Sequence, residues 1–332
     1  MSEKDVYQEL AEMEESEDPV GIPTTDAFMK VLRLQFTPQE AKLALDIRLT
    51  GATLDELSQK TGMDRDKLHD MLMTMADKGT VFYDPAETDP VYKVVGSAAP
   101  GLVETGLWGN INRPYTVELG KALYDVLQEW SSRKLCQLGF PFAPVWAAPA
   151  ALPADAQPSE NLAEVMREAG HWSTSPCPCR LSHWLVDPGN HCEHILNTCI
   201  HTGALSRWTV KHGLAREISY EELVELLREC NEDGLVSTLN INGCVCNCCD
   251  DCCAVFYGHK SGTPVFMSSP FMASADEELC NACYTCADRC PVGAIEVEDH
   301  AVIDAERCLG CGVCVISCST AAMALVRRVP LE

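Results

Sequence analysis

The chain has 332 residues, enough for two or three domains, and its formal net charge of −24 argues against nucleic acid or anionic lipid as the main partner. The first ten residues lack a basic region followed by an apolar core, so we expect no secretion signal, and the twenty cysteines then indicate metal binding rather than disulfides. The most apolar stretch, 139–152, is interrupted by three prolines and is too short to span a membrane. We therefore expect a cytoplasmic protein without membrane insertion, from an anaerobic or microaerobic host.

Residues 1–24 are acidic and lack apolar periodicity, so we expect a frayed tail or a short solvated helix. Three helices are predicted within 25–95, and each has its own start signal. The first two begin at capping boxes, and the third begins at Asp64 and ends at Gly79. The capping-box pairs are Thr37 with Glu40 and Thr53 with Glu56.

A β-hairpin is predicted to follow, with strands at 80–83 and 91–95 joined through Asp84-Pro85. Three helices and a hairpin resemble a winged-helix module, whose third helix enters the major groove in DNA-binding members. Residues 1–95 carry ten lysines and arginines against twenty aspartates and glutamates, a net charge of −10 that a phosphate backbone would repel. We therefore expect a docking or oligomerisation element.

The rest of the chain is predicted to form two further domains, which makes the fold class α+β. An amphipathic helix at about 116–130 and a Pro/Ala-rich linker at 147–156 occupy 96–158. A Cys-rich middle domain of mixed α/β structure is expected over 159–257, where the Ser219-x-x-Glu222 box announces a helix that ends before Gly234. A connector follows at 258–275.

Two cysteine runs of identical spacing occupy the C-terminal segment 276–332. Each reads C-x2-C-x2-C-x3-C, which lets three thiolates of one loop take three corners of a 4Fe–4S cluster while the fourth joins the other cluster. One cluster would be held by Cys280, Cys283, Cys286 and Cys318, and the other by Cys308, Cys311, Cys314 and Cys290. The runs resemble the bacterial two-cluster ferredoxins over about 276–328. Ser319 stands where a proline usually follows the last cysteine, so we expect a looser turn there.

Twelve cysteines lie outside these runs, and two of them, Cys136 and Cys230, stand alone and are predicted to be buried small hydrophobes. The candidate ligands of a third, and of a possible fourth, cluster are Cys177, Cys179, Cys192, Cys199, Cys246, Cys248, Cys249, Cys252 and Cys253. Cys246, Cys249 and Cys252 repeat the C-x2-C-x2-C spacing, Cys244 is an extra thiol, and Arg180 is the predicted counter-charge. Zinc bound by thiolates and a redox-active dithiol are the alternatives.

The middle region also resembles a family of multi-cluster iron–sulfur proteins of anaerobes, in the Cys-x-Cys-Arg motif at 177–180 and the Cys-Asn-Cys-Cys run at 246–249. Cys192, Cys199 and Gly234-Leu-Val belong to the same pattern, which covers about 160–325. The family implies electron transfer and names no substrate. Asp250-Asp251 departs from the pattern where a further cysteine is expected.

Histidines surround these cysteines, and His191, beside Cys192, is the strongest candidate ligand among His183, His191, His194 and His201. No Gly-rich nucleotide motif occurs, so we expect no flavin or nucleotide site. The leading hypothesis is an electron-transfer protein or subunit, without catalysis of its own, that serves a redox partner or a larger oxidoreductase complex. The alternatives are a redox-sensing winged-helix regulator and a reductase with a catalytic middle cluster.

Overall fold

The computed structural model describes residues 5–18, 20–97, 101–109, 116–189, 192–239 and 243–328. The N-terminal region consists of five helices and a hairpin. They are α1 (Val6–Glu17), α2 (Asp26–Gln35), α3 (Pro38–Ile47), α4 (Leu54–Thr61), α5 (Arg65–Asp77), β1 (Val81–Phe82) and β2 (Lys93–Val94). The predicted caps at Thr37, Thr53 and Asp64 all form, because each joins a side chain to backbone only two or three residues away.

Residues Val6–Glu17 of the acidic N-terminal segment form a helix, as one of the two predicted alternatives has it, but one side of this helix is buried rather than solvated. Asp5 caps α1, and Leu10 and Ala11 are completely buried against the neighbouring helices. The Tyr7 hydroxyl donates a hydrogen bond of 3.0 Å to the carbonyl of Phe36. The helix is rich in glutamate, but it has a narrow apolar stripe that packs against the rest of the N-terminal region.

The segment predicted as a linker is also packed. It follows α6 (Leu102–Thr105), α7 (Thr116–Arg133) and β3 (Ala143–Trp146), and it contains one short 3-10 turn, Pro149–Ala151. Ala147, Ala148 and Ala151 are buried in one cluster with Phe271 and Leu325 of the C-terminal region. Small side chains allow this close approach, so the composition that suggested a linker here marks an interface between domains.

The middle of the chain forms a seven-stranded sheet in the order β6–β4–β5–β8–β7–β3–β9. Neighbouring strands are antiparallel except β3 and β9, which are parallel. Its remaining strands are β4 (Trp172–Ser175), β5 (Cys199–Thr202), β6 (Arg216–Ile218), β7 (Val236–Leu239), β8 (Cys244–Cys248) and β9 (Phe266–Met267). The sheet therefore draws strands from the segment just before the predicted linker and from the predicted connector as well as from the middle domain.

The two faces of this sheet differ in chemistry. On one face Ile200 and Val245 pack with residues of two helices, α8 (Leu162–Ala169) and α11 (Tyr220–Glu232). The alternate positions of β5 and β8 carry cysteines on the opposite face, where α9 (Pro178–Val186), α10 (Gly203–Lys211) and α12 (Ala254–Lys260) lie nearby. Strand alternation thus separates an apolar face from a thiol-rich one.

The C-terminal region contains two similar halves. Each half has one short helix and two strands. The strands of one half pair with those of the other in two small sheets, β10 with β13 and β11 with β12. The elements are β10 (Phe271–Ala275), α13 (Thr285–Asp288), β11 (Ile295–Val297), β12 (Ala301–Ile303), α14 (Val313–Ile316) and β13 (Met323–Arg327). Because β10 pairs with β13, this region begins at 271, inside the segment predicted as a connector.

One hydrophobic core extends from α1 through the thiol-rich face of the sheet to Leu309. The Trp130 indole donates a hydrogen bond of 2.8 Å to the carbonyl of Val20, which joins α7 to the N-terminal module. The Arg207 guanidinium binds both carboxylate oxygens of Asp84 and joins α10 to the hairpin. None of the helices in the described part of the chain has the length and apolar character that a membrane crossing requires.

Candidate metal centres

Two small cavities lie in the C-terminal region, each of about 20 Å³ and each surrounded by four cysteines. The thiols of the first cavity belong to Cys280, Cys283, Cys286 and Cys318. Those of the second belong to Cys290, Cys308, Cys311 and Cys314. Each cavity takes three cysteines from one run and the last cysteine of the other, which is the grouping that the crossover predicts.

The loops that carry these thiols turn through left-handed backbone at two equivalent positions. In the first loop these are Ala282 and Tyr284, with φ of 53° and 66°, and in the second they are Gly310 and Gly312, with φ of 69° and 80°. The turns direct successive thiols toward one point. The backbone N–H of Ala294 donates to the Cys290 sulfur at 3.2 Å, the kind of contact that tunes cluster potential. The four thiols around each cavity, the enclosure of the cavities and the N–H donor to a cysteine sulfur all fit 4Fe–4S clusters.

A third thiol-lined cavity, of about 50 Å³, lies beneath the thiol-rich face of the sheet. Seven cysteines line it: Cys177, Cys179, Cys199, Cys246, Cys248, Cys249 and Cys253. Apolar side chains that include Leu127, Trp130 and Phe266 complete its wall. The cavity therefore combines many soft ligands with a low-dielectric surround.

Four of these thiols form a continuous series of contacts. Cys177 is hydrogen-bonded to Cys179, Cys179 to Cys253, and Cys253 to Cys248. The hydrogen bonds from Cys179 and Cys248 lower the pKa of Cys253 to about 5. The pKa of Cys177 is raised by its hydrogen bond with Cys179 and by burial. Metal ions that bind here would have to displace the thiol protons that remain.

Arg180, the predicted counter-charge, lies in the wall of this cavity. It is almost fully buried, and its guanidinium donates to the carbonyl of Asn247 at 3.1 Å and to the Thr198 hydroxyl. Burial acts to lower the pKa of Arg180, but the charges of Cys177, Cys249 and neighbouring thiols outweigh burial and raise it. Its Nε has no hydrogen-bond partner among the described residues, which fits an anionic group held beside it.

A second group of thiols lies beside Arg180. The sulfur atoms of Cys192, Cys249 and Cys252 lie within 4.8 Å of one another, and those of Cys192 and Cys252 are 3.4 Å apart. Hydrogen bonds from Cys192 and Cys252 lower the pKa of Cys249, and the Arg180 charge lowers it further. This group combines loop residues from two places in the chain and could bind metal.

The structure divides the predicted Cys246, Cys249 and Cys252 run between two groups. Cys246 lies on β8, where its thiol is hydrogen-bonded to Cys199, Cys244 and Cys248, whereas Cys249 and Cys252 contact Cys192. The C-x2-C-x2-C spacing does not wrap one centre here, because its first cysteine belongs to a strand and the other two follow the strand's end.

The structure describes three of the four candidate histidines. His191 lies outside the described residues. His183 forms an edge contact with the ring of Tyr124, and His194 is hydrogen-bonded to Asp233 at 3.0 Å. Only His201, of the histidines that the structure describes, forms a metal-compatible group with cysteines, namely Cys199 and Cys244.

The isolated cysteines also differ from each other. Cys230 is completely buried and packs with Cys249 and Cys252, as a small hydrophobe would. Cys136 is exposed, so its predicted burial was wrong. It is the middle residue of a short 3-10 turn after α7, and its thiol donates a hydrogen bond to the carbonyl of Ser132.

Glu104 is a site residue that the sequence did not indicate. It lines the third cavity, and burial raises its pKa to about 8 despite a hydrogen bond from the backbone of Gly101. A single glutamate in a short helix carries no motif, so only the folded arrangement places it beside the thiols.

Comparison with known families gives one match. Residues 273–296 and 301–323 each match the 4Fe-4S binding domain. Together these two segments contain all eight cysteines of the two runs. The match implies iron–sulfur electron transfer for the C-terminal region. Searches of curated proteins and of solved structures found no match to the chain.

Proposed function

We propose that the protein is a multi-cluster electron-transfer component that passes single electrons between a partner and a third cluster in its middle domain. The observation that carries this proposal is the presence of three thiol-lined cavities in one continuously packed chain. One-electron transfer through iron–sulfur clusters requires thiolate ligands, surroundings that exclude water and a redox partner, and it requires no organic cofactor.

The third cluster is assigned to Cys177, Cys179, Cys248 and Cys253. Their contacts form one series around the cavity, and two of them begin a helix whose next residue is Arg180. The buried guanidinium offsets the negative charge that four thiolates bring to a cluster. Cys192, Cys249 and Cys252 are the candidates for a fourth cluster.

The second C-terminal cavity is the link between the C-terminal clusters and the middle domain. Leu309 and Cys311, which line it, pack against the core that contains Cys248 and Cys253. The carbonyl of Cys311 accepts a hydrogen bond of 2.8 Å from the N–H of Ala148. These contacts support electron transfer between this cluster and the third one.

A further contact joins the same cavity to the second group of thiols. The Arg289 guanidinium donates to the carbonyls of Asn231 (3.1 Å) and Glu232 (2.6 Å), close to Cys230. Arg289 immediately precedes Cys290, a thiol of the second cavity, and Cys230 packs with Cys249. The interface is thus held by hydrogen bonds as well as by apolar contacts.

The first C-terminal cavity faces outward and is the proposed port for a redox partner. Cys283 is exposed, and Leu279 and Tyr284 beside it are each 51% exposed. Glu277, Glu278 and other acids nearby would attract a basic patch on the partner and raise the rate of encounter. The partner is proposed to be a subunit of a larger oxidoreductase complex in the cytoplasm of an anaerobe.

The N-terminal helices and hairpin are proposed to serve as a docking element. The hairpin is packed against α10, where Phe82 contacts Trp208 edge-on and Tyr83 contacts His212. The third helix of the predicted winged helix, α5, presents Asp66 and Asp70 to solvent beside its basic residues. Both features favour protein contacts over DNA reading.

Iron and acid-labile sulfide counting on anaerobically purified protein tests the proposal. Three cubanes give about twelve irons per chain, and a fourth raises the count to about sixteen. Cys179→Ala should remove about four irons, whereas Cys136→Ala, at an exposed thiol outside the cavities, should remove none. A wild-type count of about eight, or an unchanged count in Cys179→Ala, would contradict the assignment of the third cluster.

A further inference from the structure

Four side chains of types that can bind metal lie on two paired strands, on the thiol-rich face of the sheet. Cys199 and His201 alternate on β5, and Cys244 and Cys246 alternate on β8. The two strands are antiparallel, with His201 directly opposite Cys244, so the same register brings Cys246 beside Cys199. All four side chains therefore project from one face of the sheet and form a compact square.

The distances among Cys199, His201 and Cys244 fit a single ion, and Cys246 is the neighbouring thiol that would complete its ligand set. The Cys199 and Cys244 sulfurs are 3.6 Å apart, and a ring nitrogen of His201 lies within 4.8 Å of both. The Cys246 thiol is hydrogen-bonded to the thiols of Cys199 and Cys244. Zinc–sulfur bonds of about 2.3 Å at tetrahedral angles separate two sulfurs by about 3.8 Å, close to the spacing found here.

The backbone holds these four side chains close enough together to share one ion. Here the four Cα positions are fixed by the hydrogen-bond ladder of β5 and β8, which keeps their side chains adjacent. Three thiolates and one imidazole in this arrangement are a common ligand set for structural zinc.

The imidazole of His201 is held as a metal ligand would be. Its Nδ1 lies 3.3 Å from the hydroxyls of Ser173 and Thr209, and its ring lies against Trp108 with 4.2 Å between ring centres. A hydroxyl that accepts from Nδ1–H leaves the Nε2 lone pair as the metal-facing donor, and such partners orient metal-bound histidines. The Ser175 hydroxyl lies 3.4 Å from Nε2, so a metal ion would take the place of this contact. His201, Cys199 and Cys244 are almost completely buried, and Cys246 is partly buried.

We infer that Cys199, His201, Cys244 and Cys246 bind one structural Zn²⁺ ion, separate from the iron–sulfur clusters. Binding replaces three thiol protons, which leave to solvent, and gives a centre with a net charge of −1 and no change of oxidation state. The ion ties β5 to β8 and thereby fixes Cys248, two residues beyond Cys246, at the third cavity. This inference does not depend on electron transfer by the middle domain.

Metal analysis of the purified protein tests the inference. Wild-type protein from zinc-containing medium should hold about one zinc per chain in addition to its iron. Cys244→Ser and His201→Ala should each lose most of the zinc and keep the full iron count, and Cys136→Ser should lose neither. Absence of zinc in wild-type protein that has its full iron, or loss of about four irons with unchanged zinc in Cys244→Ser, would overturn the inference.

Cobalt substitution of the wild-type chain keeps the inference testable if the variants fail to fold. Protein produced with Co²⁺ in zinc-depleted medium should show thiolate-to-cobalt charge transfer and the intense visible bands of tetrahedral Co²⁺, after subtraction of the spectrum of the zinc form. Cobalt that binds with octahedral bands, or does not bind, would contradict a tetrahedral Cys3His site. Failure of the third-cluster proposal would appear in the iron count and leave this result unchanged.

Discussion

Gly310 and Ala282 occupy equivalent positions in the two cysteine loops, and their surroundings predict a large effect of substitution at Gly310 and a small one at Ala282. Both have left-handed backbone, with φ of 69° and 53°. A Cβ at Gly310 would lie 2.0 Å from the carbonyl oxygen of Phe271 and 2.3 Å from the hydroxyl oxygen of Ser269. Because the first neighbour is backbone, the loop that carries Cys308 and Cys311 would have to move.

Gly310→Ala should therefore destabilise the C-terminal domain substantially. Left-handed backbone costs a non-glycine residue about 1–2 kcal/mol, and overpacking at a buried site adds about 1–3 kcal/mol. The sum, about 2–5 kcal/mol, corresponds to a fall of about 5–15 °C in the temperature at which the clusters lose their visible absorbance, at roughly 3 °C per kcal/mol. The measurement is an anaerobic melt of both variants followed by iron counting.

Ala282→Gly is the matched control for this prediction. Removing its Cβ relieves left-handed strain but increases the entropy of the unfolded chain, and the two terms nearly cancel to leave a change within about 1 kcal/mol. If Gly310→Ala melts at the same temperature as the wild-type protein and keeps its iron, the close approach of Phe271 to this loop is refuted. If Ala282→Gly is equally damaging, the difference between the loops has another cause.

Phe271→Ala should destabilise the chain by about 3–5 kcal/mol, because this ring is fully buried between the C-terminal domain and the alanine segment 147–151. Val302→Ala, at a mostly exposed position, is the control and should change the free energy of unfolding by less than about 0.5 kcal/mol. Asp84→Asn should cost up to about 1 kcal/mol at neutral pH by weakening the pairing with Arg207. The Arg207 hydrogen bond holds the pKa of Asp84 below its usual range, so this contribution is present above the unfolded pKa and disappears as the pH falls through the folded one. Arg180→Met should lower the potential of the third cluster by about 60 mV or more, a tenfold change in a one-electron equilibrium, because a positive charge that favours the reduced state is lost.

Each of these three predictions has a direct readout. Thermal melts that show equal losses for the Phe271 and Val302 variants would contradict the packed interface. A stability difference at Asp84 that does not diminish in acid would show that its pairing with Arg207 is not the cause. Redox titration of the Arg180→Lys variant should give a smaller shift than Arg180→Met, and equal shifts would contradict the role of charge.

Local sequence signals predicted the features that depend on few residues. The caps of α3, α4, α5 and α11 form because a side chain and nearby backbone decide each of them. The crossed grouping of Cys290 and Cys318 also followed from spacing, since a three-residue gap prevents either thiol from returning to its own loop. The winged-helix likeness of the N-terminal region stays a prediction.

Features that depend on distant partners were not predictable from the sequence. The alanine segment was mistaken for a linker because its burial depends on Phe271, more than a hundred residues away. The division of Cys246 from Cys249 depends on the pairing of β8 with β5 and β7, and no spacing rule contains that information. For the same reason His201 could not be distinguished from its neighbours before the register was known.

The most direct test of the central claim is the number of electrons that the chain accepts. Anaerobic reductive titration, with electron paramagnetic resonance of the reduced protein, counts the one-electron centres. We predict at least three electrons per chain, two of which survive in Cys179→Ala, because that variant keeps both C-terminal clusters. Uptake of only two electrons by the wild-type protein would contradict a third cluster and restrict electron transfer to the C-terminal domain.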